Sequence, residues 1–345
     1  MAGARGYGQL PVMLSGVPAR LFRAITLIPK AGFAGLSAPS LMFWLMRNAR
    51  RFDVVHVHYG RDLIAGPVPR LLRSLGVPYV IQTHGMVTAA LGRVAKTYDR
   101  VFTEGAFRDA SVVFALTPRE RERFGERLRA AANSVEILPN GIRPVPSTLS
   151  SAKSPHDQLE VLFLARLHPR KRAAVFAEVG VSVTSRLPGV RFSICGPDEG
   201  DLRAVTSIIN RHSAEHQVYV EGAVAPSDVI PRLRKADIYV LPSLDEPFGM
   251  TVIEAMACGK PVVISDSCGI AEQVVAGGAG IAVGPSSDSL SGAIERLISD
   301  AKLRSAMGRN AVALVEDKFG IESVAHRLAR VYDDVVAGSP HRSRA

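Results

Sequence analysis

Two carboxylates eight positions apart, Glu246 and Glu254, lie in the segment DEPFGMTVIEAMAC, residues 245–258. An apolar run, YVLPS, precedes it, and a helical pattern starts at Gly249. Pro247 and Gly249 let the chain turn tightly into that helix. The first N–H groups of a helix have no acceptor of their own and can bind phosphate or sugar oxygens without side chains. Gly249 and Glu254 are separated by about 7.5 Å of helical rise. A carboxylate at each end of that distance can accept paired hydrogen bonds from sugar hydroxyls, which suits a nucleotide sugar. The plainer alternative makes Glu246 a helix cap and Glu254 an ordinary helical residue.

Three other clusters carry chemistry. ARLHPRK, residues 165–171, follows a separate apolar run. There Arg166 offers a planar fork of donors and Lys171 a point charge, together able to neutralise a diphosphate; the alternative is a basic surface loop. Gly196 ends the run FSIC and permits close approach of a ligand, or marks a plain turn. His56 and His58 are two apart, hence on one face of a strand, and His84 follows the next run. No Cys or carboxylate motif accompanies them as a zinc site would need, so His56 and His58 read as structural.

These residues need elements to hold them. Short apolar runs at residues 53–57, 78–82, 111–116 and 135–138 alternate with helical patterns at 62–74 and 92–107. After residues 144–158, which hold Pro144, Pro146 and Pro155 among several serines, the alternation restarts. Runs at 160–164, 191–195, 218–220, 238–241 and 262–265 are separated by helical patterns, and an amphipathic helix closes the chain near 321–336. Alternation of this kind is the signature of parallel βαβ units. The expected architecture is therefore α/β, two Rossmann-like parallel-sheet domains facing across a cleft. The boundaries are 1–143, a linker at 144–158, a donor-binding domain at 159–320, and a C-terminal helix and tail at 321–345 that cross back to the first domain. Ligands of such sheets sit beyond the carboxyl ends of the strands, where the loops carrying Glu246, Arg166, Lys171, Gly196 and His84 fall.

Composition sets the outer limits. The chain has 345 residues, 47% hydrophobic and 21% charged, as globular proteins have. Cys195, Cys258 and Cys268 form no CxxC pair, which fits a reducing compartment. Neither a signal peptide nor a transmembrane span is expected: the most apolar stretch, 31–46, is short and contains Pro39. Up to Arg143 there are 20 Lys and Arg against 9 Asp and Glu. Such an excess attracts anionic partners. Without RNA-binding aromatics or zinc-finger spacing, nucleic acid is not expected; an anionic membrane surface is. The 31–46 stretch is either an interfacial segment or a buried helix of the first domain.

The motifs EPFGMTVIEAMACGKPVV, ARLHPRK, FSICGPDEG, VEGAV and ADIYVLPS, in this order, resemble the donor domain of retaining glycosyltransferases of the GT-B fold, family 4 (group 1) type. FDVVHVH, GVPYVIQTHGM and ILPNGI extend the resemblance into the first half. It implies that Arg166 and Lys171 hold the donor diphosphate, and that Glu246 contacts the donor sugar with backbone amides near Phe248, Gly249 and Met250. It further implies that Gly196 lines the donor site, that Glu254 binds the ribose, and that His84 reaches the reacting centre. The implied reaction is sugar transfer from a UDP- or GDP-linked sugar with retention, through an oxocarbenium-like transition state, with no separate cofactor and no metal. No Asp-x-Asp motif is found. The acceptor would be a cell-surface glycan or glycolipid, in polysaccharide or glycolipid biosynthesis, at the inner face of the plasma membrane.

The chain departs from the family at Ala165, Arg172 and Arg143, and above all at the N-terminus. The family's first strand, Gly-rich loop and helix are expected to be absent, no strand is expected before Gly3, Gly6 and Gly8, and these glycines read as a tail. That opens two alternatives, a catalytically impaired nucleotide-sugar-binding protein and, more remotely, a GT-B epimerase or phosphorylase. Oligomeric state is not legible.

Overall fold

A computed structural model describes residues 2–4, 13–14, 16–87, 92–127, 135–145 and 158–338. The chain divides into two compact units, one of Met1–Leu138 with His326–Ala345, the other of Pro139–Ala325.

The first unit is built on a four-stranded parallel sheet: β1 (Val55–His58), β2 (Tyr79–Gln82), β3 (Val112–Ala115) and β4 (Val135–Ile137), in the order β4-β3-β2-β1. Every residue of β2 and β3 is buried. That explains why they read as unbroken apolar runs, since sheets covered on both faces lack the alternation of half-exposed strands. Tyr59, Leu72, Ile81 and Phe107 are fully enclosed at the centre of this unit's core. The helix Pro39–Asn48 contributes Leu41 and Leu45 to it. Four residues apart, they share one helical face. Residues 31–46 are thus neither a span nor a wholly buried helix. Their buried face serves the core, and Phe43 and Met46 stay exposed.

Ala2–Ala4 form a short strand paired in parallel with Leu21–Arg23. The expectation that no strand precedes Gly6 and Gly8 is therefore corrected. A strand of alanine and glycine lacks the β-branched and aromatic residues by which strands are recognised. Gly6 and Gly8 lie outside the described residues, as does most of the 144–158 linker.

The second unit holds six parallel strands: β5 (Leu159–Leu164), β6 (Val190–Cys195), β7 (Val218–Gly222), β8 (Ile238–Leu241), β9 (Val262–Ser265) and β10 (Gly280–Val283). Their order is β7-β6-β5-β8-β9-β10. Phe163, Phe176 and Phe192 pack ring on ring behind them at centroid distances of 5.6 and 5.4 Å. Residues 139–143 cluster with this unit because Ile142 donates its N–H to the Phe319 carbonyl at 2.8 Å and accepts from Ile321 N–H at 2.9 Å. The helix Ile321–Ala337 then carries Tyr332 into the first unit. Among the described residues, no helix is long and apolar enough to cross a membrane.

Candidate active site

The strand order of the second unit reverses between β5 and β8. The chain winds outward from β5 to β7 on one side and from β8 to β10 on the other. At such a reversal, the loops leaving two adjacent strands diverge and open a crevice. The loop after β5 supplies Lys171 and the loop after β8 supplies Glu246, and the two side chains form an ion pair. Their side chains are only 13% and 10% exposed. Ser243 Oγ donates to Glu246 Oε2 at 3.2 Å, and the Glu246 carbonyl accepts from Gly269 N–H at 2.8 Å. The Leu244 N–H donates to the Arg170 carbonyl at 2.9 Å and ties the two loops together. Glu246 is thus fixed from three sides.

Gly249 precedes the helix Met250–Ala257 with φ +78°, a conformation that only glycine adopts without strain. Met250 opens the helix. The Phe248 ring is buried against Phe319, at 5.8 Å between centroids. It anchors the turn, so any ligand contact from this residue comes from its backbone. Glu254 lies farther along the helix. Burial pushes its carboxyl upward, and among the described residues its carboxylate has no hydrogen-bond partner. A half-buried carboxylate in that condition suits a ligand hydroxyl.

Gly196 follows β6 with φ +148°, and a Cβ there would come within 1.8 Å of the Ala165 carbonyl oxygen. The glycine lets the loop after β6 pass directly against the loop after β5. Ala165 N–H bonds the Cys195 carbonyl at 3.0 Å, and Leu167 N–H bonds the Pro197 carbonyl at 2.8 Å. Arg166 forks onto Glu199, with Nη1 at 2.9 Å from both carboxylate oxygens. This pair is largely exposed, and exposed pairs are worth about 0–1 kcal/mol, so an incoming anion can readily take the guanidinium.

In the first unit, β1 and the turn after β2 bring three imidazoles into a stack. His56 and His58 lie 4.6 Å apart, and His58 and His84 4.9 Å apart. His58 Nδ1 and His84 Nε2 are 2.7 Å apart, and His56 Nδ1 is 2.6 Å from the Tyr332 hydroxyl. His84 has φ +49°, left-handed for a residue with a side chain. Burial, then the neighbouring His58 and His84, hold His56 down to about 3. Burial and His84 lower His58 as well. His56 and His58 are therefore kept uncharged at neutral pH. Sequence spacing links His56 to His58 but misses the contacts of His58 with His84 and of His56 with Tyr332. Ser243 was also missed; lying three residues before Glu246, it is the one of these that local spacing could have flagged. Among the described residues, no group of three or more His, Cys, Asp or Glu is arranged to hold a metal ion.

Two parallel sheets, the second doubly wound with an acidic loop and a basic loop meeting at its reversal, define the architecture of the GT-B glycosyltransferases. Solved structures share the fold. Sucrose-phosphate synthase from Thermosynechococcus elongatus superposes with a TM-score of 0.76 at 22% identity, covering 96% of this chain and 87% of that one. HepE from Anabaena, solved in complex with UDP, gives 0.77 at 22% identity, covering 92% and 87%. The family profile for glycosyl transferases group 1 matches residues 147–313, and that for the glycosyl transferase 4-like domain matches residues 2–141. The chain belongs to the group 1, family 4 glycosyltransferases. Alpha-D-kanosaminyltransferase from Streptomyces kanamyceticus is 26% identical over 328 residues, covering 88% of this chain and 84% of that enzyme. A D-inositol 3-phosphate glycosyltransferase from Paenarthrobacter aurescens is 28% identical over 306 residues, covering 84% and 74%.

Proposed function

We propose that this glycosyltransferase takes its sugar from a nucleoside diphosphate, UDP- or GDP-linked, and transfers it with retention of anomeric configuration to a cell-surface glycan or glycolipid. The observation that carries this reading is the meeting of Lys171 and Glu246 where the strand order reverses, with the unpartnered Glu254 on the adjoining helix. The solved complex of HepE with UDP supports a uridine nucleotide as the first donor to try.

In this reading, Arg166 exchanges its exposed partner Glu199 for the diphosphate. Lys171 has three N–H donors, so it can hold Glu246 and still donate to a phosphate oxygen. Both cations, with the helix start at Gly249 and Met250, stabilise the charge that builds on the leaving diphosphate. Glu246 and the amides near Phe248 orient the sugar, Glu254 holds the ribose, and Gly196 lets the donor approach the backbone. His84 acts at the reacting centre. The nucleophilic oxygen of the acceptor attacks on the face the diphosphate leaves, and its proton passes to that leaving group. No metal or further cofactor takes part. The enzyme works in the cytoplasm, peripheral at the membrane.

The test is turnover of α-linked UDP- and GDP-sugars followed by proton NMR. An α-configured first product is expected, with Glu246→Ala and Lys171→Ala each at least tenfold slower. A β-configured first product would overturn retention, and unchanged turnover in either variant would remove that residue from the site.

A further inference from the structure

The first 52 residues contain seven Lys and Arg and no Asp or Glu. The same stretch is unusually greasy on its surface. Among the described residues, eight of the sixteen exposed large apolar side chains fall between Val17 and Phe52. A charge-only surface would not need them, and a core would not leave them outside.

The densest part is a hairpin. Ile25–Thr26 pair antiparallel with Leu36–Ser37, and residues 25–34 between them are all exposed. The turn is closed by backbone. Leu27 and Ile28 N–H groups both reach the Gly35 carbonyl, at 2.8 and 3.2 Å. Gly35 sits so close that a Cβ would be 2.2 Å from the Ile28 carbonyl oxygen. The turn therefore keeps its shape without burying its side chains. Leu27, Ile28 and Phe33 project from it at 54%, 51% and 64% exposure, with Lys30 among them. On the helix Pro39–Asn48, Phe43 and Met46 are three apart and share the face opposite Leu41 and Leu45.

Among the described residues, the cations of this region lack carboxylate partners, Arg50 donating instead to the Leu75 carbonyl at 3.4 Å. Arg20, Arg23, Lys30, Arg47, Arg50 and Arg51 are exposed, and none forms an ion pair among the described residues. Two instead lie over aromatic rings, Arg20 over Trp44 at 5.2 Å and Arg47 over Phe43 at 3.5 Å. Exposed apolar side chains interleaved with unpaired cations match a surface that is anionic outside and apolar beneath. A second copy of the same patch would be repelled by its own charge.

We propose that this N-terminal surface docks on an anionic lipid bilayer, with the tip of the 25–34 hairpin inserted among the lipid headgroups and the surrounding arginines on their phosphates. The proposal deepens the membrane-peripheral part of the proposed function. Its test uses no sugar donor, so the two readings fail separately.

The full-length chain is mixed with vesicles of phosphatidylcholine alone or with one-third phosphatidylglycerol, and the bound fraction is measured by sedimentation. Partitioning onto anionic vesicles is expected to exceed that onto neutral ones at least tenfold, and to fall steeply with added salt. Replacing Leu27, Ile28 and Phe33 together by Ser is expected to lower it at least tenfold. Because these side chains are exposed, the circular dichroism and melting temperature should be unchanged; should they change, the charge variant Arg23→Glu/Lys30→Glu gives the same reading with the apolar tip intact. No binding of the native chain to anionic vesicles would overturn the proposal. So would equal binding of native and Ser variants, or loss of a concentration-dependent dimer in the Ser variant, which would assign the tip to self-association.

Discussion

Replacing Lys171 by Met removes one half of an ion pair whose side chains are 13% and 10% exposed. At that depth the pair belongs with buried salt bridges, whose rupture costs about 3–5 kcal/mol because a charge is left desolvated and unpaired. Ser243 Oγ still donates to Glu246 at 3.2 Å, which favours the lower end, about 3 kcal/mol. For a domain of this size each kcal/mol moves the midpoint by about 2–4 °C, so the unfolding transition of the second unit is expected to drop by roughly 6–12 °C. Adding Glu246→Leu to Lys171→Met removes the stranded charge, and a buried pair replaced by apolar residues is often neutral. The double variant is therefore expected to melt within about 1 kcal/mol of the native chain while remaining inactive. The assay is differential scanning calorimetry of native, both single and double variants, with sugar transfer measured alongside. A single variant that melts with the native protein, or a double variant no better than Lys171→Met, would refute the claim that the two side chains are coupled in a desolvated site.

Two more outcomes follow from the geometry. Gly196→Ala would place a Cβ 1.8 Å from the Ala165 carbonyl oxygen and is expected to cost at least about 3 kcal/mol, seen as a lower denaturant midpoint; Gly200→Ala, also at positive φ but with nothing within 4 Å, is expected to cost only about 1–2 kcal/mol. His56, held down to about 3, is neutral in both folded and unfolded chains well above pH 6.5. As pH falls below that, the unfolded chain takes up a proton that the folded one refuses, so stability is lost progressively between pH 6.5 and 3. The loss at pH 5 is at most about 2 kcal/mol, and His56→Gln is expected to flatten that slope in urea titrations; an unchanged slope would remove His56 as its source.

Much of the second unit was legible because its central strands are buried and sharply bounded. Residues 238–241 and 262–265 coincide with β8 and β9, each flanked by a proline, Pro242 and Pro261. Helices were less so. The pattern at 62–74 implied one helix, yet it begins only at Val68. Asp62 Oδ1 accepts from the Ile64 and Ala65 amides at 2.8 and 2.7 Å and holds the chain in a turn instead. The 92–107 pattern hides a π-helical stretch at Asp99–Thr103, whose wider turn breaks the 3.6-residue period. Arg172, where the family often has glycine, takes φ +60°, which is the reason glycine suits that position. Lys171 and Glu246 could be named in advance because each follows its own strand. The stack of His56, His58 and His84 on Tyr332 could not, since its contacts join residues 26 and 276 positions apart. The unpaired cations and exposed hairpin tip of the first unit had only a compositional trace, the basic excess.

The most direct test of the central claim is calorimetric titration of the purified chain with UDP, GDP and ADP, repeated on Glu254→Ala. Selective binding of one nucleotide, with a raised melting temperature and loss of both effects in the variant, is the expected result. No binding of any of the three by a folded chain, or binding that Glu254→Ala leaves unchanged, would contradict a nucleotide-sugar site at the reversal of the second sheet.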